Sequence, residues 1–448
     1  MSTSLLYHGF GIRGYQYLNT RYENGAVYFT ITYKEHSLRC CNCGNKDVTR
    51  RGTVMRQFRN LPIGNKPSWV ILDLQRVWCI ACDLVRQVKI GFADERRSYT
   101  RAFERYVLEL SRHMTIQDVS QHLGIGWDMV KDIQKRHLKK RFSKPKLHKL
   151  TQIAIDEISV KKGHNYLTIV LDLSTGMVVF VGDGKGADAL EPFWQRLKRT
   201  RNRIRAVAID MSPAYISAVI NNLPDAAIVF DHFHVIKLLN EQLTELRRQL
   251  YNEVTDRQQK EVIKGTRWLL LKNPGDLDES KNELGRLQAA LKMNQPLATA
   301  YYLKESLSQL WDQLNKSKAK DWLKAWCAQA QQSKIPLLMK FANTIAAHRT
   351  GILAYYDFPI STGPLEGINN KIKTMKRQAY GFRDMEFFKL KILGLHQTKY
   401  ALEHFNLNCS RTRQTNRGHR LLLRNSRQGR LQQARSPGCG LSCREEAA

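Results

Sequence analysis

The sequence predicts a mixed α/β protein: a large sheet domain with a helical insertion, preceded by a small metal-binding β module and a helix-turn-helix unit. Three observations predict it. Two Cys-x-x-Cys turns, Cys40/Cys43 and Cys79/Cys82, bracket a strand-rich segment. A helix, glycine turn, helix pattern follows over residues 98–142. From residue 151 three hairpin strands give way to strands alternating with helices, and Asp156 and Asp210 stand in otherwise apolar runs.

Composition narrows the partners. The chain has 448 residues, and Lys+Arg 72 minus Asp+Glu 40 gives +32. Such an excess suits a polyanion, and nucleic acid is the commonest one. A hydrophobic fraction of 42% excludes a wholly disordered chain. No apolar run reaches the roughly 18 residues of a membrane span, so no membrane partner is expected. The first residues lack a basic-then-apolar leader, and the expected location is cytoplasmic, with the bacterial nucleoid.

Residues 1–36 carry no strong signal, and the metal module is placed at 37–92. Five of nine cysteines lie between positions 40 and 82. A Cys-x-x-Cys turn points two thiolates at one ion, so Cys40, Cys43, Cys79 and Cys82 together predict a tetrahedral Zn²⁺ site. Cys41 reads as a bystander, although a swap with Cys40 keeps a similar geometry. Four thiolates leave no open position for a substrate, so this zinc is structural.

Residues 98–142 are helical. Phe103, Tyr106, Val107 and Leu110 recur at helix spacing, Thr115–Asp118 reads as a capping box, and Gly124 offers a turn before a helix from about Gly126. This outlines a helix-turn-helix DNA-binding unit, with an ordinary helical hairpin as the alternative. Lys131, Gln134, Lys135 and Arg136 are the candidate DNA contacts, with Lys139, Lys140 and Arg141. A basic linker at 143–150 extends the run with Lys144, Lys146 and Lys149 and contains no acid.

The sheet domain spans 151–400. Strands at 152–160, 166–173 and 177–182 form a meander; strands ending at Asp210 and Phe230 follow, each after a helical stretch. This order describes an RNase H-like sheet. A carboxylate in an apolar strand is costly to bury unless it is paired or binds metal, which singles out Asp156 and Asp210. Mg²⁺ (or Mn²⁺) favours such oxygens, and two ions can clamp an in-line phosphoryl transfer. Asp172 and Asp183 also stand in or beside strands. About 240–345 reads as a helical insertion whose tryptophans belong to helix packing. Beyond it Glu366 opens a helix that continues with Asn369, Asn370, Lys373, Lys376 and Arg377, an acid followed by amides and bases, as a metal ligand beside a DNA backbone would need. Asn369, Lys373, Lys376 and Arg377 are further candidate DNA contacts. A first-turn Glu favoured by the helix dipole is the plainer reading of Glu366.

These motifs resemble the bacterial insertion-sequence transposases of the ISL3 family, over roughly residues 37–400. The carriers are the paired cysteines, Ala154-Ile-Asp-Glu157, Ala208-Ile-Asp-Met-Ser212, Phe230-Asp-His-Phe-His-Val235, Ser361-Thr-Gly-Pro-Leu-Glu-Gly-Ile-Asn369, Lys371-Ile-Lys373 and Arg377-Gln-Ala-Tyr-Gly-Phe-Arg383. The resemblance implies a DDE triad of Asp156, Asp210 and Glu366, with separations 210 − 156 = 54 and 366 − 210 = 156. It implies a supporting role for Asp231 and His234, although His232 and His234 also read as ordinary core or hydrogen-bonded histidines. The expected function is binding of terminal inverted repeats, then Mg²⁺-dependent cleavage and strand transfer by a homodimer or larger assembly. The rival expectations are an element-derived regulator that binds without cutting, and an RNase H-like nuclease or resolvase. Residues 409–448, with nine Arg, no Lys and two Glu, read as a disordered tail or a nonspecific DNA-binding arm.

Overall fold

A computed structural model describes residues 5–34, 37–161, 165–200 and 202–397. The Arg-rich tail lies outside the described residues.

The N-terminal module is larger than the cysteine spacing suggests. A single helical turn α1 (Leu5–His8) leads into β1 (Tyr15–Glu23) and β2 (Ala26–Tyr33), then β3 (Val48–Ile63), β4 (Lys66–Cys79) and β5 (Leu84–Gln87). The order is β1-β2-β4-β3, with β5 on the end of β4 and β2 running parallel to β4. Residues 1–36, left unassigned from sequence, therefore supply two strands of the same sheet. β1 is almost wholly exposed, which removes the in-out alternation that marks a strand. The sheet packs Phe29, Ile31, Phe58, Val70 and Leu72 into its own core.

Three helices follow: α2 (Arg101–Leu110), α3 (Ile116–Leu123) and α4 (Trp127–Phe142). Thr115 caps α3 by accepting the Asp118 N–H at 3.2 Å, while the Asp118 carboxylate accepts the Thr115 N–H at 3.0 Å. Gly124 ends α3 at φ 59°, a conformation that glycine adopts without Cβ strain. Phe103, Val107, Val119, Leu123, Val130 and Ile133 close the three helices around one small core.

The second sheet is built from β6 (Gln152–Lys161), β7 (Asn165–Asp172), β8 (Met177–Asp183), β9 (Ala206–Ile209) and β10 (Ala227–Phe230), in the order β10-β9-β6-β7-β8. β6, β7 and β8 are antiparallel neighbours, and β6, β9 and β10 run parallel. α5 (Glu191–Lys198) and α6 (Pro213–Asn222) are the crossover helices.

A helical block follows β10: α7 (His232–Glu253), α8 (Arg257–Gly265), α9 (Glu283–Met293), α10 (Gln295–Ser308), α11 (Lys316–Gln332), α12 (Pro336–Ala347) and α13 (Arg349–Leu353). It begins directly after β10 rather than near residue 240. It shares a core with the sheet face carrying Ile153, Ile155, Val207 and Ile209. Trp326 is buried there and donates its indole N–H to the Leu303 carbonyl at 2.8 Å.

The opposite face carries Ala154, Ile158 and Ala208. It is covered by α14 (Gly363–Gln378) and α15 (Met385–Leu393) through Leu365, Ile368, Ile372, Met375 and Phe388. Burying each such aliphatic side chain stabilises by about 1.5–3 kcal/mol, so α14 is fixed in rotation, and that fixes what its first turns present. No helix among the described residues is long and apolar enough to cross a membrane.

Candidate active site, metal centre and DNA-facing elements

The sheet register brings the strand acids together. β6 and β9 pair in parallel with Gln152 opposite Ala206, Ile153 opposite Val207 and Ala154 opposite Ala208. Carried two residues on, that register brings Asp156 of β6 toward Asp210, the residue after β9, and Asp210 is among the charges that act on Asp156. β10 pairs with β9 so that Phe230 lies opposite Ile209. The next residue, Asp231, continues the row. Asp210 and Asp231 directly follow the carboxyl ends of the parallel strands β9 and β10, where α/β sheets bind ligands, while Asp156 lies midway along β6. Alternation puts Asp156 and Asp210 on the Ala154 and Ala208 face, which is the face that α14 covers.

Each acid has a distinct setting. Asp156 is mostly buried, and burial pushes its carboxyl up to about 6, with Asp210 among the charges that raise it and His234 among those that lower it. It accepts the Glu157 N–H at 2.8 Å and the Asn369 side-chain amide at 2.9 Å. Asp210 accepts the Ser212 N–H at 3.0 Å at the entry to α6. Glu366 lies exposed in the first turn of α14, one turn before Asn369. Among the described residues the three acids do not close into one tight ligand cluster. A two-ion site spreads its carboxylates around a pair of metals roughly 4 Å apart, so an open arrangement suits it.

Asp231 is 3% exposed and accepts the Thr362 hydroxyl at 2.7 Å. Thr362 immediately precedes α14, so this bond ties the carboxyl edge of the sheet to the start of the Glu366 helix. His234 follows in the first turn of α7, within the field of Asp156 and Glu157. Glu157 is a fourth carboxylate beside Asp156. It points to the other face, where it bonds Tyr215, and burial raises its pKa. Asp172 and Asp183 are structural. Asp172 accepts from Ser174 and Thr175 to close a turn, and Asp183 pairs with Lys389 on α15.

Asn369 corrects the sequence reading. It was grouped with the DNA contacts, but it is 5% exposed and its amide holds Asp156. Groups that orient a metal ligand are worth about 10–100-fold in affinity or activity. With Asp156 as the metal ligand expected from sequence, Asn369→Ala should slow a metal-dependent reaction by that factor and raise the metal concentration needed for half activity. An unchanged metal midpoint with weaker DNA binding would instead restore the phosphate-contact reading.

The four cysteines converge as their spacing predicts. The Cys43 and Cys79 sulfurs are 3.5 Å apart, those of Cys40 and Cys82 are 4.0 Å apart, and all four lie within 4.8 Å of one another. Sulfurs about 2.3 Å from a tetrahedral ion stand about 3.8 Å apart, so the set fits zinc. Backbone N–H groups of Cys43 and Asn42 pull the Cys40 thiol down to about 6, toward the thiolate a metal needs. Cys41 is exposed.

The candidate DNA contacts on α4 divide. Gln134 is 4% exposed and so is not on the surface. Lys131 and Lys135 pair with Asp384, at 3.2 and 3.0 Å. Lys135 and Lys139 pair with Glu386, at 2.7 and 2.9 Å, and Arg136 pairs with Glu104 at 2.7 Å. One stripe of α4 thus faces α15, because residues 131, 135 and 139 repeat every helical turn. Leu138 and Phe142 continue that contact against Gly394, where an added Cβ would meet Leu138 at 2.9 Å. Lys140 and Arg141 stay exposed on α4, as do Lys373 and Arg377 on α14, while Lys376 is half-buried. The N-terminal turn of α4 exposes Trp127 and Asp128.

Comparison with known proteins agrees with this architecture. Residues 153–392 match a transposase family profile of the ISL3 type, and residues 88–138 match the helix-turn-helix domain of transposase family ISL3. The chain is 33% identical to the transposase for insertion sequence element IS1001 of Bordetella parapertussis, over 86% of this chain and 95% of that one. It is 30% identical to the transposase for insertion sequence element IS1557 of Mycobacterium tuberculosis, over 77% of this chain and 82% of that one. Among solved structures it is similar to the Drosophila P element transposase strand transfer complex, at 10% identity and a TM-score of 0.39, covering 69% of this chain and 94% of that one. That last likeness adds nothing to the fold described above. A catalytic-domain profile over more than half of the chain and a curated relative matched nearly end to end show that the protein belongs to the ISL3 family of DDE insertion-sequence transposases.

Proposed function

We propose that Asp156, Asp210 and Glu366 are the metal-binding triad of an RNase H-like domain that cuts the terminal inverted repeats of its element and joins them to target DNA. The supporting observation is the strand register that sets Asp156 beside Asp210, with Asn369 tying Asp156 to the helix that carries Glu366. Asp156, Asp210 and Glu366 would hold Mg²⁺, which would supply charge to activate an attacking oxygen and stabilise a leaving one. The chain's own residues set the geometry. Asp231 and Thr362 hold the start of α14 against the sheet, and Asn369 orients Asp156. His234 lies within the field of both Asp156 and Glu157. Cys40, Cys43, Cys79 and Cys82 hold a structural Zn²⁺ that orders the N-terminal sheet. The helix-turn-helix unit reads the repeats, and Lys140, Arg141, Lys373, Lys376 and Arg377 contact backbone phosphates. Two element ends are joined in one event, so a homodimer or larger assembly acts.

The test is strand transfer with purified full-length protein, labelled element ends and Mg²⁺. Nicked ends and joined products are expected. Binding of ends with no nicking at any metal concentration would favour an element-derived regulator, and nicking without joining would favour a nuclease.

A further inference from the structure

The loop between α14 and α15 displays one aromatic ring wholly to solvent. Tyr380 is 101% exposed. Singly exposed apolar side chains are ordinary, so exposure alone means little. Three further observations distinguish this one.

The ring is held on a fixed turn. The Tyr380 N–H bonds the Arg377 carbonyl at 3.1 Å, and the Gly381 N–H bonds the Lys376 carbonyl at 2.9 Å. That is a Schellman cap with tyrosine, at φ 50°, where glycine is usual. Two residues on, Phe382 turns inward and stacks on Phe388, with ring centroids 4.6 Å apart. The chain is thus anchored on both sides of Tyr380.

The surroundings are cationic. Lys373 and Arg377 precede the ring and Arg383 follows it, all exposed. The position also links two DNA-engaging elements. Along α14, Tyr380 lies 14 residues after Glu366, about 21 Å at 1.5 Å per residue. Four residues beyond it, Asp384 holds Lys131 and Lys135 of α4. Were a duplex to run along α14 from the helix-turn-helix unit to the acids, this loop would lie about six base steps from Glu366, at 3.4 Å per step.

We infer that Tyr380 is a stacking platform for a nucleobase of the element-end DNA, at a step opened between the recognition helix and the cleaved phosphate. Aromatic rings stack on any base face, and flanking cations hold the backbone. The inference rests on the proposed path of DNA across Asp156, Asp210 and Glu366.

The experiment uses full-length protein and duplexes carrying the element end and its flank, with 2-aminopurine placed at successive positions and Ca²⁺ present to allow binding without cutting. A fluorescence change confined to one or two adjacent positions is expected with the parent protein and with Tyr380→Phe. It should be absent in Tyr380→Ala, whose affinity for ends should fall roughly tenfold. The ring touches no core residue, so the variants should fold alike, and matched circular dichroism checks this. A position-specific change that survives in Tyr380→Ala would overturn the assignment, as would bound duplex with no responsive position. Loss of self-association in Tyr380→Ala with the base signal intact would move the ring to a subunit contact and also overturn it. If the parent protein binds no end duplex, the proposed function falls together with this inference; binding without the signal removes this inference alone.

Discussion

Asp156→Asn and Asp210→Asn are each expected to lower strand transfer at least ~1,000-fold while leaving the binding of element ends within a few-fold of the parent. A metal clamp on the transferring phosphoryl group supplies several kcal/mol of transition-state stabilisation, and each ~1.4 kcal/mol is a factor of ten in rate. Asparagine keeps the shape and can still accept from Asn369, so the change removes charge and little else. Stability argues in the same direction. Burial raises the Asp156 carboxyl from its ordinary value to about 6, so the folded metal-free protein binds more protons than the unfolded chain between about pH 4 and pH 6. The Asp156 contribution to stability therefore falls as pH rises through that window. At pH 7 the metal-free Asp156→Asn protein should melt no lower than the parent, and lost activity cannot be assigned to unfolding. Thermal melts at pH 7 without metal, set beside single-turnover joining assays, check both halves.

The second large effect belongs to the cysteines. Replacing Cys79 and Cys82 by serine is expected to remove bound zinc and disorder the ends of β3, β4 and β5. Zinc binding contributes about 10–16 kcal/mol in zinc-finger peptides that lack another core. The sheet here has one, built on Phe58, Val70 and Leu72, so the loss should stay within the N-terminal module. The helical block and the second sheet are built on cores distinct from that of the N-terminal module and should melt as before. Metal analysis and limited proteolysis around residues 40–47 and 80–87 measure this; undiminished zinc content in the double variant would remove the site.

The sequence made some of this legible and hid the rest for physical reasons. Cys40, Cys43, Cys79 and Cys82 were readable because thiolate pairs two residues apart have few other uses in a chain without a disulfide framework. Asp156 and Asp210 stood out because a carboxylate among Ile, Ala and Val carries a desolvation cost that needs a reason. Their alignment was not readable, since register is set by pairing between strands 54 residues apart and not by either strand alone. Asn369 was misplaced because an amide beside lysines looks alike whether it serves a phosphate or a carboxylate 213 residues away. Gln134 was misplaced for a related reason, as a polar residue in a basic helix gave no sign of its burial. The Asp384 and Glu386 partners of the α4 lysines lie some 250 residues downstream, beyond the reach of helix spacing. The first two strands escaped notice because β1 buries almost nothing.

The most direct test of the triad is affinity cleavage. Fe²⁺ in place of Mg²⁺, with ascorbate and peroxide, cuts the polypeptide beside the bound ion. Backbone cuts are expected near residues 156, 210 and 366 in the same end-bound protein, suppressed by excess Mg²⁺ and lost together in Asp156→Asn. Cuts at 156 and 210 without 366, or a pattern indifferent to Asp156→Asn, would contradict the triad.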